Sequence, residues 1–376
     1  MINRRQFLYL AGASAINLLG INGLHLTKYG TASSESKEFN PDLEFSLTAT
    51  PSRVQIFPGE PTTVWTYKGE VTDGDPSSLV NLDQSYLGPI IRVRKNQKIR
   101  IHFKNNLPDR SIIHWHGLHV PAEMDGHPRY VIPTGATYTY EFEVLNRAGT
   151  YWYHPHPHGR TGHQVYGGLA GLFLVTDNEE DTLVLPKGDL DIPLVIQDRL
   201  FANNNQLIYL PRGMMDSMNG MLGDTICVNG KPAYELSVKT RIYRLRILNG
   251  SNSRIYKLAW SDDTPLTVIA TDGGLLEKPV HKKYVVLGPG ERIELLADFS
   301  KYPLGTSLQL VSKYFEDAML SGGMGQGMMR RGMMSNATDL PNGAPFTVLK
   351  IHIASEEKET RSLPEKLISI EKYQSQ

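Results

Sequence analysis

The sequence predicts an all-β protein of two β-sandwich or β-barrel domains, and three observations carry that expectation. Apolar and polar residues alternate over several short runs, the mark of strands that send successive side chains to opposite faces. Thirty-four glycines and 23 prolines punctuate these runs with turns. No stretch sustains the 3.6-residue period of a long amphipathic helix. Hydrophobic residues make up 40% of the 376, enough for two real cores.

Taken in order, the chain opens with Asn3-Arg4-Arg5-Gln6-Phe7-Leu8 and a weakly apolar stretch to Leu24. Paired arginines directly before an apolar region resemble a twin-arginine export signal, here assigned with its linker to residues 1–38. That route carries folded proteins, often with a cofactor aboard, so the expectation is a periplasmic protein handled by the twin-arginine export machinery. Asn17, Gly20 and Asn22 make the stretch a poor membrane span, and no other segment is apolar enough for one.

The first domain is expected over 39–178. There Ile91 and Val93, then Ile99, Ile101 and Phe103, flank the turn Lys95-Asn96-Gln97. Tyr138, Tyr140, Phe142 and Val144 alternate with Thr137, Thr139, Glu141 and Glu143 as a half-buried strand. The polar run Asp177-Asn178-Glu179-Glu180-Asp181 marks the boundary, with 179–190 as linker. A second domain follows over 191–353, where Tyr243, Leu245 and Ile247 alternate with Arg244 and Arg246. Gly288-Pro289-Gly290 precedes Ile293-Glu294-Leu295 much as Pro133-Thr134-Gly135 precedes Tyr138-Thr139-Tyr140, a faint echo of two similar units. A charged tail occupies 354–376.

Charge and cysteine content narrow the function. Lys plus Arg and Asp plus Glu both number 39, so there is no cationic surplus for binding nucleic acid. The single cysteine, Cys227, excludes an internal disulfide and any Cys-rich zinc or iron–sulfur site. Lying between Ile226 and Val228, it reads as a small core residue.

The chemical centre is two histidine pairs, His114-Trp115-His116-Gly117 and His154-Pro155-His156. In a strand, residues i and i+2 share a face about 6.6 Å apart, so each pair aims two imidazoles at one point. Two such strands side by side make a cluster of four borderline nitrogen donors, suited to copper, zinc, iron or nickel. The absence of acidic residues within the pairs disfavours magnesium or calcium. His158 and His163 read as surface or supporting residues. Nothing in the spacing of His119 and His127 demands a metal, and His25, His102, His281 and His352 read as background.

From about Phe45 to Leu349 the sequence resembles the multicopper oxidases, specifically the bacterial periplasmic cuprous-oxidase and laccase-like branch. The strongest stretches are Ile113-His114-Trp115-His116-Gly117-Leu118 and Gly149-Thr150-Tyr151-Trp152-Tyr153-His154-Pro155-His156. Gly167-Gly168-Leu169-Ala170-Gly171, the stretch Gly223-Asp224-Thr225-Ile226-Cys227-Val228-Asn229-Gly230, and Tyr243-Arg244-Leu245-Arg246-Ile247-Leu248-Asn249 extend it. The resemblance implies tandem cupredoxin-like Greek-key barrels and a trinuclear copper cluster that reduces dioxygen to water. By it, His114 would ligate the type 2 copper, and His116, His154 and His156 the type 3 pair. Asp125, in Met124-Asp125-Gly126, falls where the family has an acid near the cluster. It reads either as a proton relay or as an Asp-Gly turn residue.

The sequence departs from the family in lacking His-x-x-His-x-His and the His-Cys-His of the type 1 copper. Three expectations follow: a fragment of a three-domain oxidase, a chain completed by a partner, or a non-catalytic periplasmic copper-binding or structural cupredoxin protein. The first is favoured. Met214, Met215, Met218 and Met221 form one loop-like group. Met319, Met324, Met328, Met329, Met333 and Met334 form a glycine-rich second. Thioether sulfur favours Cu(I), so Cu(I) is the favoured substrate, with small phenols the alternative.

Overall fold

Leu43, Phe45, Leu47 and Ala49 are buried while their neighbours are only partly so, and this alternation builds the first strand of the protein, β1 (Leu43–Val54). The computed structural model describes residues 39–316 and 340–370. Residues 1–38, read above as an export signal with its linker, the Met319–Met334 group and the last six residues of the tail lie outside the described residues. No helix among the described residues is long and apolar enough to cross a membrane.

Eight further strands complete the first sandwich: β2 (Thr62–Asp73), β3 (Leu79–Val80), β4 (Ile90–Arg94), β5 (Lys98–Asn105), β6 (Ile113–His116), β7 (Thr137–Glu143), β8 (Gly149–Pro155) and β9 (Gly171–Thr176). They form a four-stranded sheet, β2-β1-β5-β7, and a five-stranded sheet, β3-β4-β9-β8-β6. Phe45, Ile101, Phe103, Trp115, Tyr140 and Tyr153 fill the space between them. Burial of each such side chain is worth about 1.5–3 kcal/mol.

The second sandwich uses β10 (Asp191–Arg199), β11 (Thr225–Val228), β12 (Lys231–Pro232), β13 (Glu235–Lys239), β14 (Ile242–Asn249), β15 (Tyr256–Trp260), β16 (Leu266–Thr271), β17 (Gly274–Lys282), β18 (Val285–Leu287), β19 (Arg292–Asp298), β20 (Ser307–Ser312) and β21 (Phe346–Ser355). Its sheets run β12-β11-β10-β14-β19-β16-β17 and β13-β21-β20-β15-β18. The echo in the sequence has a structural counterpart. β1 runs parallel to β5 and β5 antiparallel to β7, just as β10 runs parallel to β14 and β14 antiparallel to β19. Cys227 sits fully buried on β11.

Four regions differ from the sequence reading. Every residue of β14 is buried, including Arg244 and Arg246, because both of its faces are covered. The polar run taken as a boundary folds into a short helix, Asn178–Asp181, capped by the Asp177 carboxylate. Its Glu180 is buried against Arg244 and Arg246, so the run is packed rather than free. The charged tail is also docked as far as it is described. Leu367 and Ile368 pack with Leu185, Ile242, Ile269 and Leu275, and the Leu367 amide donates to the Glu277 carbonyl at 2.9 Å. The first methionine group is likewise not a plain loop. Met214–Asn219 is a short helix with Met214 and Met218 exposed, while Met221 is buried.

Candidate metal centre

β6 and β8 are antiparallel neighbours in a register that sets His114 opposite His154 and His116 opposite Trp152. Alternation along both strands then fixes the faces. Trp115 and Tyr153 point into the first core, where their rings lie 5.8 Å apart. His114, His116, Trp152 and His154 share the other face. His156 follows the end of β8, held by its amide on the Ile112 carbonyl at 2.9 Å. His114 lies with ring centroids 5.7, 5.3 and 5.2 Å from His116, His154 and His156. One ring nitrogen from each of His114, His116 and His154 falls within 4.8 Å of the others. The structure therefore brings all four predicted histidines into one cluster.

Hydrogen bonds fix which nitrogens are free. His114 Nδ1 donates to the Asp125 carbonyl at 2.7 Å, leaving Nε2 as a lone pair. His154 Nδ1 lies 2.9 Å from the Pro155 carbonyl, which frees its Nε2, and that nitrogen faces His116 Nδ1 at 3.2 Å. His156 Nδ1 is buried without a hydrogen-bond partner. Burial, followed by the charge of Arg292 and the neighbouring imidazoles, lowers His116 to about 4. Burial likewise pushes His154 well below its ordinary value and lowers His156. These three imidazoles are neutral at pH 7, the form that ligates metal.

Asp125 ends a short turn, and Gly126 follows with φ +71°, where a Cβ would overlap the Ile113 carbonyl. Asp125 Oδ1 lies 3.1 Å from His114 Nδ1, but that proton is directed to the backbone carbonyl, so the oxygen has no donor of its own. Asp125 thus occupies the turn and touches the cluster at once.

The other described histidines stand apart from this set. His119, His127 and His158 are exposed, and His163 packs edge-on between Trp65 and Tyr209. Sequence reasoning missed Trp152, whose indole stacks on His116 at 5.0 Å and lies 4.3 Å from His154. Its place two residues before His154 on a strand was the available signal.

The family model described as multicopper oxidase matches residues 61–180. The crystal structure of McoA multicopper oxidase from Aquifex aeolicus superposes with a TM-score of 0.74 at 35% identity, covering 89% of this chain and 67% of that one. The chain belongs to the multicopper oxidase family. A multicopper oxidase of Staphylococcus aureus is 39% identical over 234 residues, 62% of this chain and 52% of the relative. The cell division protein FtsP of Escherichia coli is 38% identical over 231 residues, 61% of this chain and 48% of the relative. This multicopper oxidase chain thus spans about half the length of the curated relatives it matches.

Multicopper oxidases use copper, and the donors here fit it. Neutral imidazoles whose ring nitrogens converge, and the orphaned buried nitrogen of His156, are what a borderline cation satisfies.

Proposed function

We propose that this chain contributes the N-terminal half of a trinuclear copper centre. In this reading His114 holds the type 2 copper, and His116, His154 and His156 hold the type 3 pair. The activity would be an oxidase reaction coupling one-electron oxidation of Cu(I), or of small phenols, to reduction of dioxygen to water. Its setting would be copper homeostasis in the periplasm, reached through the twin-arginine export machinery. The observation that carries this reading is the facing of His116 Nδ1 and His154 Nε2 at 3.2 Å, with His114 and His156 around them.

Copper, when bound, supplies the one-electron redox steps and the affinity for oxygen. The side chains hold and protect that site. Backbone carbonyls lock His114 and His154 in the ligating tautomer. Trp152 covers the cluster on the side of the second sandwich and excludes water there. Asp125, part exposed and with Oδ1 unpaired, is placed to take protons from solvent and present them at the cluster.

Electron entry would come from outside these residues. No His-Cys-His occurs in the sequence, and burial pushes the Cys227 thiol up to about 12, unfit for a copper thiolate. A further domain or a second chain would therefore complete the centre. Likeness to FtsP supports a second reading, a copper-binding or structural protein without turnover.

Copper stoichiometry of the purified chain, measured with oxygen uptake on Cu(I) and a phenol, tests both. Copper lost on His114→Ala and His154→Ala, with oxygen uptake in the completed assembly, is the expected result. Bound copper without uptake favours the second reading. Copper uptake indifferent to these substitutions overturns the trinuclear reading and copper binding at these histidines alike.

A further inference from the structure

β19 of the second sandwich carries Arg292 and Glu294, two residues apart and hence on one face, and both reach Thr150 of β8. Arg292 Nε donates to the Thr150 carbonyl at 3.1 Å, and the Thr150 hydroxyl donates to Glu294 Oε1 at 2.7 Å. Glu294 continues into a buried ion network, but Arg292 turns toward the metal centre. Its Nη1 donates to the Gly290 carbonyl at 2.8 Å, and its Nη2 lies 3.2 Å from the Asp272 carbonyl. Asp272 Oδ1 adds an ion pair at 3.0 Å.

Two of these anchors, Gly290 and Thr150, back a histidine. Gly290, at φ +80°, lies so close that a Cβ there would stand 3.5 Å from His116 Cε1 and 3.4 Å from the Trp152 ring. A Cβ on Gly117, the residue after His116, would come within 2.9 Å of Arg292 Nη2. Thr150 lies four residues before His154 on the same strand. One buried guanidinium thus ties the turn behind His116, the backbone beside it and the strand that delivers His154.

We infer that Arg292 is a positioning residue of the metal centre, through which the second sandwich sets the placement of His116 and His154. The inference deepens the copper reading of the four histidines and rests on it. The role requires the planar fork, because Nε, Nη1 and Nη2 bond in three directions at once. A lysine keeps the charge but offers one nitrogen, and cannot span them.

The test uses the full chain with Arg292→Met and Arg292→Lys, and Asp272→Ala as a milder variant should the first two not fold. Copper affinity is measured by chelator competition, and the ring nitrogen shifts of His116 are recorded in the metal-free protein, assigned with His116→Gln. Both Arg292 variants are expected to weaken copper binding by about tenfold or more and to move the His116 signals, leaving those of the distant His102 in place. Asp272→Ala is expected to move them the same way by less. Wild-type copper affinity with unmoved His116 signals in Arg292→Met, or in Asp272→Ala should that alone fold, overturns the inference. So does full rescue by Arg292→Lys, which would make charge the operative property. A wild-type chain that takes up no copper at the histidines sinks the copper reading, while the metal-free His116 signals still decide the placement role.

Discussion

His116 and Trp152 stack with ring centroids 5.0 Å apart and planes inclined by 29°. Strand register causes this, since the two residues are direct partners in the β6–β8 ladder. The indole Nε1 is buried and has no acceptor, so the ring contributes by area and shape rather than by hydrogen bonding. Trp152→Phe should therefore cost less than about 1.5 kcal/mol and preserve copper binding. Trp152→Ala should cost about 3–5 kcal/mol and open the cluster to water. Urea unfolding of both variants, with copper stoichiometry, checks the contrast. Equal losses would show that the indole nitrogen matters.

The ion network between the sandwiches gives a second expectation. Glu294 accepts from Arg244 Nε at 2.7 Å, from Arg246 Nη1 at 3.0 Å and from Thr150. Burial alone would raise the Glu294 carboxyl, but Arg244 and Arg246 outweigh it and hold it below its usual range. Glu294→Ala removes one carboxylate from two buried guanidinium groups, leaving Arg244 with Glu180 and Arg246 with Asp191 and Glu180, and should cost about 3–5 kcal/mol. Thr150→Val leaves Glu294 with its arginines and should cost about 1 kcal/mol. A double-mutant cycle in chemical denaturation tests the ranking, which a cheap Glu294→Ala would reverse.

Why the sequence revealed the histidines and not this network is a matter of range. His114 and His116, like His154 and His156, are two residues apart, so strand periodicity alone makes them neighbours. That periodicity also exposes the all-β class. Thr150 and Glu294 are 144 residues apart, and Arg244 and Glu180 are 64 apart. No local pattern pairs them. Arg244 and Arg246 look like the polar face of a half-buried strand until the first sandwich covers that face. The docking of the tail escaped the sequence for a related reason, because its few apolar residues carry no periodicity and find their partners only in the folded sheet.

Those tail residues furnish a third expectation. Leu367 and Ile368 are 5% and 4% exposed, packed on Leu185, Ile242, Ile269 and Leu275 beside the segment joining the sandwiches. Leu367→Ala should cost about 2–4 kcal/mol if the site cannot collapse. It should also raise proteolysis between residues 356 and 370, because the segment holds on by this contact and a few ion pairs, among them Arg241 with Glu359 at 3.1 Å. Limited proteolysis with mass spectrometry reads the outcome. An unchanged cleavage pattern and an unchanged unfolding midpoint would mean that the segment is not anchored there.

Acid should destabilise the metal-free protein over a defined window. His116 falls from its ordinary 6.5 to about 4, chiefly through burial, and His154 and His156 shift in the same direction. Above about pH 6.5 these imidazoles are neutral in the folded and unfolded chains alike, and they contribute no slope. Between 6.5 and 4 the unfolded chain binds protons that the folded His116 refuses, so stability falls as the pH falls. Glu359 acts lower, since its carboxyl is held to about 2 against burial by the backbone amides of Ile242 and Arg361 and by Arg241. Its contribution is present above its ordinary 4.5 and is lost as the pH drops from there toward 2. Melting temperatures of the metal-free chain from pH 7.5 down to 4.5 separate the two groups. His116→Gln should flatten the slope in that range, and Glu359→Gln should lower the whole curve without changing its slope. A wild-type slope in His116→Gln would mean that this imidazole titrates normally in the folded protein, and that the cluster is wetter than its packing against Trp152 implies.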